Sequence, residues 1–189
     1  MQLLIASTRL VVATMLICVV GYSLFVLSVT PIVPDAAQGS LIATPDGKVV
    51  GSRLIAQRFE QPRYFWPRPS SAGKDGYDAT SAAGSNKSPT SADLTKRAKD
   101  LVERYGATTD RPLPAELAAA SGGGLDPHIS EGAALYQAKR VAEARGLPLA
   151  RIEATIDQQA FAPGGALTPN RLVNVLELNL AIDQLGEAK

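Results

Sequence analysis

Residues 10–34 form a run of 25 positions without a charge, and the apolar part ends at Thr30. About 20 apolar residues in a helix cover the roughly 30 Å hydrocarbon core of a bilayer. Inside lipid a single span must satisfy its own backbone groups, so the pattern predicts a transmembrane helix over residues 10–30. Pro31 and Pro34 end it. A cleaved signal peptide is the rival reading. It would have a shorter apolar stretch followed by an A-x-A-like site, and neither is present. One face of the predicted helix carries Thr14, Cys18, Gly21 and Ser28. Small residues at that spacing let another helix approach closely, although they are also common in spans that pair with nothing.

Past the span the pattern changes twice. Residues 40–43 and 49–55 read as strand-like pieces around Pro45-Asp46-Gly47, which is turn chemistry, so a hairpin is expected. Residues 70–92 are rich in Ser, Gly, Ala, Asn and Pro and predict a long irregular loop, a feature that is often functional. Helical periodicity dominates afterwards. An amphipathic helix is expected over 93–105, ended by Gly106. Ser130 should cap a helix over 131–145 whose apolar stripe is Leu135, Ala138, Val141 and Ala142, ended by Gly146. Pro148 suits the first turn of a helix aligning Leu149, Ile152 and Ile156. A last helix is expected over 172–185, ended by Gly186. The fold class expected is one N-terminal transmembrane helix and an α+β domain, with hairpins first and helices in the C-terminal half. The segments are a tail at 1–9, the span at 10–30 and a domain at 31–189.

Charge sets the expected orientation. Arg9 and the α-amine precede the span, and the 17 residues after Thr30 contain no Lys or Arg. The positive-inside rule then puts the N-terminus in the cytoplasm and the domain outside it. The net charge of +1 over 189 residues gives no general attraction to nucleic acid or acidic lipid. Cys18 is the one cysteine, so no internal disulfide can form. One His and one Trp argue against His-rich metal sites and aromatic cages.

Motifs for chemistry are largely missing. A P-loop requires G-x-x-x-x-G-K-[ST], yet Gly73-Lys74 is followed by Asp75 and Arg68 occupies the place of the first Gly. The aspartyl-phosphate signature D-K-T-G-T is absent. Ser71 and Lys74 match S-x-x-K of penicillin-interacting enzymes, but S-D-N and K-T-G are not found. His128, in Leu125-Asp126-Pro127-His128-Ile129-Ser130, has no G-x-S-x-G partner and reads as a turn-positioning residue. No catalytic or metal-binding set is expected. The stretch from Lys48 to Arg68 holds five cations against Glu60, with Phe59, Tyr64, Phe65 and Trp66 interleaved. Arg and aromatics anchor protein interfaces. Behind an outward anchor they point to a partner protein more than to nucleic acid.

Longer strings narrow the reading. They are Gly51-Ser52-Arg53-Leu54-Ile55-Ala56-Gln57-Arg58-Phe59, Tyr64-Phe65-Trp66-Pro67-Arg68-Pro69-Ser70 and Gly84-Ser85-Asn86. Ser121-Gly122-Gly123-Gly124-Leu125-Asp126-Pro127-His128-Ile129-Ser130 follows. Gln137 with Arg140-Val141-Ala142 and Ala144-Arg145-Gly146 come next, then Val173-Asn174-Val175-Leu176-Glu177-Leu178-Asn179. In this order behind one span, they resemble the C-subunit family of the Kdp-type potassium-transporting ATPases over nearly the whole chain. Ala82-Ala83 before Gly84 and Lys87 after Asn86 depart from the family pattern.

The resemblance implies a non-catalytic accessory subunit of a high-affinity, ATP-driven potassium uptake pump in the bacterial inner membrane. It would serve assembly and act as a catalytic chaperone, raising the ATP affinity and turnover of the P-type subunit. The implied partners are a channel-like potassium-binding subunit (KdpA), the P-type ATPase subunit (KdpB), a small single-span subunit (KdpF) and membrane lipid. ATP is implied through the ATPase subunit, and potassium is the transported ion. A nucleotide contact proposed for the family falls on Gln137, beside Arg140. Subunit-contact candidates are Thr14, Cys18, Gly21 and Ser28 in the span. In the domain they are Arg58, Tyr64, Phe65, Trp66, Arg68, Gly84, Ser85, Asn86, Asp126, His128, Asn174 and Asn179. A domain outside the membrane cannot touch cytoplasmic ATP, so the topology favours action through pump conformation. The alternatives are a membrane-anchored binding module using the Arg/aromatic stretch, or an extracytoplasmic Ser/Lys hydrolase using Ser71 and Lys74.

Overall fold

The computed structural model describes residues 1–44, 46–168 and 170–187. Pro45, the first residue of the expected hairpin turn, lies outside the described residues, as do the last two positions of the expected domain. Two compact units divide the chain between Leu41 and Ile42.

The first unit is dominated by α1, a continuous helical run over Gln2–Ile32 whose most apolar window is not buried by its own chain at all. Leu3, Leu4 and Ile5 continue the helix on the N-terminal side of Arg9. Its 31 residues reach about 46 Å at the α-helical rise, enough for the hydrocarbon core and part of the headgroup layer. Between Leu16 and Gly21 the helix widens into a π-helical stretch. Pro31 sits in a closing 3-10 turn, and Val33, at φ −131° and ψ 59°, leaves the helical region. The one-turn α2 (Pro34–Ala37) follows.

The boundary between the units falls inside β1 (Leu41–Ala43), which pairs with β2 (Val49–Ser52) in a two-stranded sheet. This is the hairpin expected from the turn residues, with shorter strands. Residues 53–91 contain no helix or strand among those described. Next come α3 (Ala92–Tyr105), α4 (Ala115–Ala118), β3 (His128–Ser130), α5 (Glu131–Arg145), α6 (Leu149–Gln159), β4 (Leu172–Asn174) and α7 (Val175–Glu187). Gly106 and Gly146 end α3 and α5 in the left-handed conformation that glycine adopts without a Cβ penalty. The Ser130 hydroxyl accepts from Ala133 N at 3.1 Å and caps α5.

β3 and β4 pair antiparallel, with Ile129 opposite Val173. Both side chains are fully buried. They meet Phe65, Leu117, Val141, Ile152, Ile156, Leu178 and Ile182 in one core where α5, α6 and α7 converge on the small sheet. Each fully buried Leu, Ile or Phe stabilises the domain by about 1.5–3 kcal/mol.

Two expectations from the pattern are corrected. Residues 172–174 are not helical, because they extend to pair with 128–130; α7 starts at Val175 and continues through Gly186. Leu135 is 43% exposed, and the buried face of α5 is instead Ala133, Ala134, Gln137, Ala138, Val141 and Ala142. Alanines permit close approach of the packed elements, and the face then includes one large polar residue.

Candidate functional site

That residue, Gln137, is 1% exposed and points its amide at the chain segment 61–68. Gln137 Oε1 accepts from Trp66 N at 2.9 Å, and Nε2 donates to Trp66 O at 3.1 Å. Asn179 on α7 does the same for the preceding residue. Its Oδ1 accepts from Phe65 N at 2.8 Å and its Nδ2 donates to Phe65 O at 3.0 Å. Two successive backbone units without a strand partner are satisfied by two side-chain amides from different helices. The segment is a strap stitched across α5 and α7. Phe65 is fully buried, and the Trp66 indole N–H donates to Gln61 O at 3.1 Å.

Cations surround the strap. Arg140 donates to Tyr64 O at 3.0 Å, to Pro62 O and to Gln137 Oε1 at 2.8 Å. Its guanidinium lies 3.6 Å from the Trp66 ring centre, and that of Arg104 lies 4.0 Å from it. Burial pulls Arg140 down to about 10; Tyr105 opposes the shift and the neighbouring Arg104 charge adds to it. Arg140 remains cationic near neutral pH. Burial also pushes the Tyr105 phenol well above its usual range, and its ring meets Trp66 edge-on at 5.1 Å. On the α7 side, Arg145, whose side chain is 4% exposed, bonds Asp183 at 2.7 Å and donates to Arg63 O at 2.7 Å. Tyr64 OH reaches Asp183 at 3.3 Å.

A second cluster lies around the chain that enters β3. Arg68 Nη1 bonds Asp126 Oδ2 at 3.2 Å, and Asp126 Oδ1 accepts from His128 N at 3.0 Å. The His128 imidazole holds the Asp126 carboxyl below its usual range, burial opposes this, and Arg68 adds to it. The His128 ring packs edge-on against Phe161 at 5.4 Å. Asn174 Oδ1 accepts from Leu176 N at 3.1 Å and Glu177 N at 3.2 Å, capping α7, while Nδ2 donates to Arg53 O at 2.8 Å.

The long loop docks on the glycine-rich string. A Cβ at Gly84 would stand 2.5 Å from Gly122 O, and one at Gly124 would collide with Ala83 O. Asn86 has φ +46°, and Ser85 lines a recess with Ser71 and Lys74. Arg58 pairs with exposed Glu60 at 3.3 Å and faces the Tyr77 ring at 5.7 Å. In α1 the Thr14 and Ser28 hydroxyls donate to carbonyls of their own helix, and Cys18 is exposed. Gly21 has ordinary space for a Cβ.

The fold thus unites Gln137, Arg140, Tyr64, Phe65, Trp66 and Asn179 at the strap, and separately Arg68, Asp126 and His128. The side chains of Phe65, Gln137, Asn174 and Asn179 are occupied inside the domain. Arg104, Tyr105 and Asp183 join the strap unforeseen. Their sequence signal was an amphipathic pattern only, with nothing to tie them to Trp66. Among the described residues no group of three His, Cys, Asp or Glu converges as a metal site.

A scan of protein families matches residues 4–184 to "KdpC: K+-transporting ATPase, c chain". The chain is 64% identical to the potassium-transporting ATPase KdpC subunit of Parvibaculum lavamentivorans over 189 residues, all of both chains. It is 47% identical to that of Gemmatimonas aurantiaca over 156 residues, which cover 81% of this chain and 77% of the relative. To that of Xanthomonas campestris pv. campestris it is 42% identical over 187 residues, covering 96% of this chain and 87% of the relative.

Proposed function

The chain belongs to the KdpC family of K+-transporting ATPase C chains, and from that premise we propose that it is a non-catalytic accessory subunit that raises the ATP affinity and turnover of the pump's hydrolysing subunit. The observation that carries this reading is α1. A helix of 31 residues, whose most apolar window is unburied by its own chain, offers that surface to lipid and to helices of other subunits. Thr14 and Ser28 satisfy their hydroxyls within the helix, which leaves the face with Cys18 and Gly21 free for close packing.

Arg9 before the span supports a cytoplasmic N-terminus in a bacterial inner membrane, with the domain on the outer side. From there the domain acts on the conformational equilibrium of the pump and does not contact ATP itself. The prior engagement of Gln137 and Arg140 with Trp66 and Tyr64 supports the same view. Its partners are the channel-like potassium-binding subunit, the P-type subunit and a small single-span subunit, and it carries no cofactor of its own.

Two measurements test the reading. Affinity purification of the tagged chain from membranes should bring down a P-type ATPase and a channel-like subunit, and deletion should abolish growth at limiting potassium. Recovery of the chain alone, with growth intact, would overturn it. For topology, Thr109→Cys in a Cys18→Ala background offers an exposed thiol. Labelling of intact spheroplasts by an impermeant reagent places the domain outside; labelling only after lysis places it in the cytoplasm and restores a direct ATP contact.

A further inference from the structure

The loop between the strap and α3, together with α3 itself, borders an open recess of about 430 Å³. Its lining brings together three cations, Lys74, Lys87 and Arg97, with the hydroxyls of Ser70, Ser71 and Ser85. No carboxylate is among the lining residues. Lys87 is paired with Asp93, which stands outside the lining. The side chains of Lys74 and Arg97 make neither a hydrogen bond nor an ion pair with any described residue.

Arg97 is the telling group. Its Nε is buried and has no acceptor. Arg68 and Arg140 also have an unpartnered Nε, but both donate through their other nitrogens. A buried N–H donor is unfavourable unless an acceptor reaches it, and Arg97 is half-buried as a whole. Ser70 adds a second donor. Its Oγ already accepts from Ala72 N at 3.1 Å and Tyr77 N at 2.8 Å, so its hydroxyl hydrogen remains to be given. The wall is fixed in shape. Gly73 and Gly76 have φ +68° and +78°, and a Cβ at Gly73 would stand 2.5 Å from Asp78 Cβ.

We propose that this recess binds a tetrahedral oxyanion of the phosphate class, with Arg97 and Lys74 as the charged donors and Ser70 and Ser71 as neutral ones. A cation would meet no carboxylate among the lining residues, and an apolar ligand would strand the cations. The S-x-x-K pair acquires a role as ligand donors: Ser71 gives a hydrogen bond and Lys74 a charge, with no bond made or broken. The anion is a free phosphate ion or the phosphate of a lipid headgroup, which present the same oxygens.

Thermal unfolding of the full chain in non-ionic detergent, followed against inorganic phosphate at constant ionic strength, tests this. Tm should rise saturably with phosphate and not with matched chloride. Arg97→Gln and Lys74→Gln should each weaken the apparent affinity about tenfold, as expected for one charge-assisted hydrogen bond. Arg151→Gln, an exposed change on α6, should not. Without phosphate, Arg97→Gln should melt no lower than the parent, because it removes a half-buried side chain whose Nε has no acceptor. Equal shifts with phosphate and chloride, or an unchanged response in Arg97→Gln, would overturn the proposal. Nanodiscs in phosphate-free buffer identify the source. Protection by phosphatidylglycerol, lost in Arg97→Gln, assigns the headgroup; protection only on adding inorganic phosphate assigns the free ion. Protection by neither overturns the site.

Discussion

Gln137 and Trp66, 71 positions apart in sequence, exchange two hydrogen bonds through one side-chain amide. The same amide oxygen takes a third from Arg140. The glutamine therefore closes a loop, positions a cation and fills a place on the buried face of α5. Asn179 repeats the first of these tasks one residue earlier on the strap.

Removing that amide should act first on stability. Gln137→Ala leaves the Trp66 N–H and C=O buried without partners and opens a cavity. The urea transition should shift by about 3 kcal/mol, with Arg140 losing one acceptor. If Gln137 worked instead by touching nucleotide, the variant would keep its stability and the assembled pump would lose ATP affinity alone. Measuring both on the same preparation separates the two roles.

Asp126 should govern part of the acid limb. Its carboxyl is held below its ordinary value by His128 and Arg68. The folded state thus binds the proton more weakly than the unfolded state. The stabilisation is present above the unfolded value, about 3.9, and is lost as pH falls through the lower folded value. Asp126→Asn should therefore flatten the decline of the urea midpoint in that acid range. An acid limb identical to that of the parent would remove Asp126 from the account.

Gly124 and Gly106 both have positive φ, but only the first is crowded. Gly106→Ala, with open space around it, should cost about 1 kcal/mol from backbone strain alone. Gly124→Ala adds a collision with Ala83 O and should cost about 2–4 kcal/mol. It should also release the loop at residues 70–92 to limited proteolysis, which Gly106→Ala should not do.

Gly21→Leu isolates the anchor. A Cβ there meets only Leu16 O at 3.5 Å, so the helix itself accepts the change. The domain melt should be unchanged while co-purification with other pump subunits falls. Undiminished co-purification would show that this face packs against no subunit.

Local signals in the sequence announced local structure. Ser130, Gly146 and Gly106 mark helix ends because capping is decided by one or two residues. Tertiary pairing was silent. β3 and β4 have three residues each and lie more than 40 positions apart, so no period-2 pattern could build up, and residues 172–174 looked like the first turn of α7. Arg and aromatics alternate along the strap, the composition of an exposed interface. Phe65 and Trp66 are instead drawn inward by amides supplied from two distant helices. A trace existed in Gln137, a polar residue one position before Ala138 and four before Val141, on what is otherwise the apolar face.

The strap has a mechanical consequence. Phe65 is tied to α7 and Trp66 to α5, so the two helices cannot separate or slide without breaking hydrogen bonds at adjacent residues. A pull on residues 61–68 therefore cannot be absorbed by local slack. It is delivered to both helices together, through hydrogen bonds at two adjacent residues.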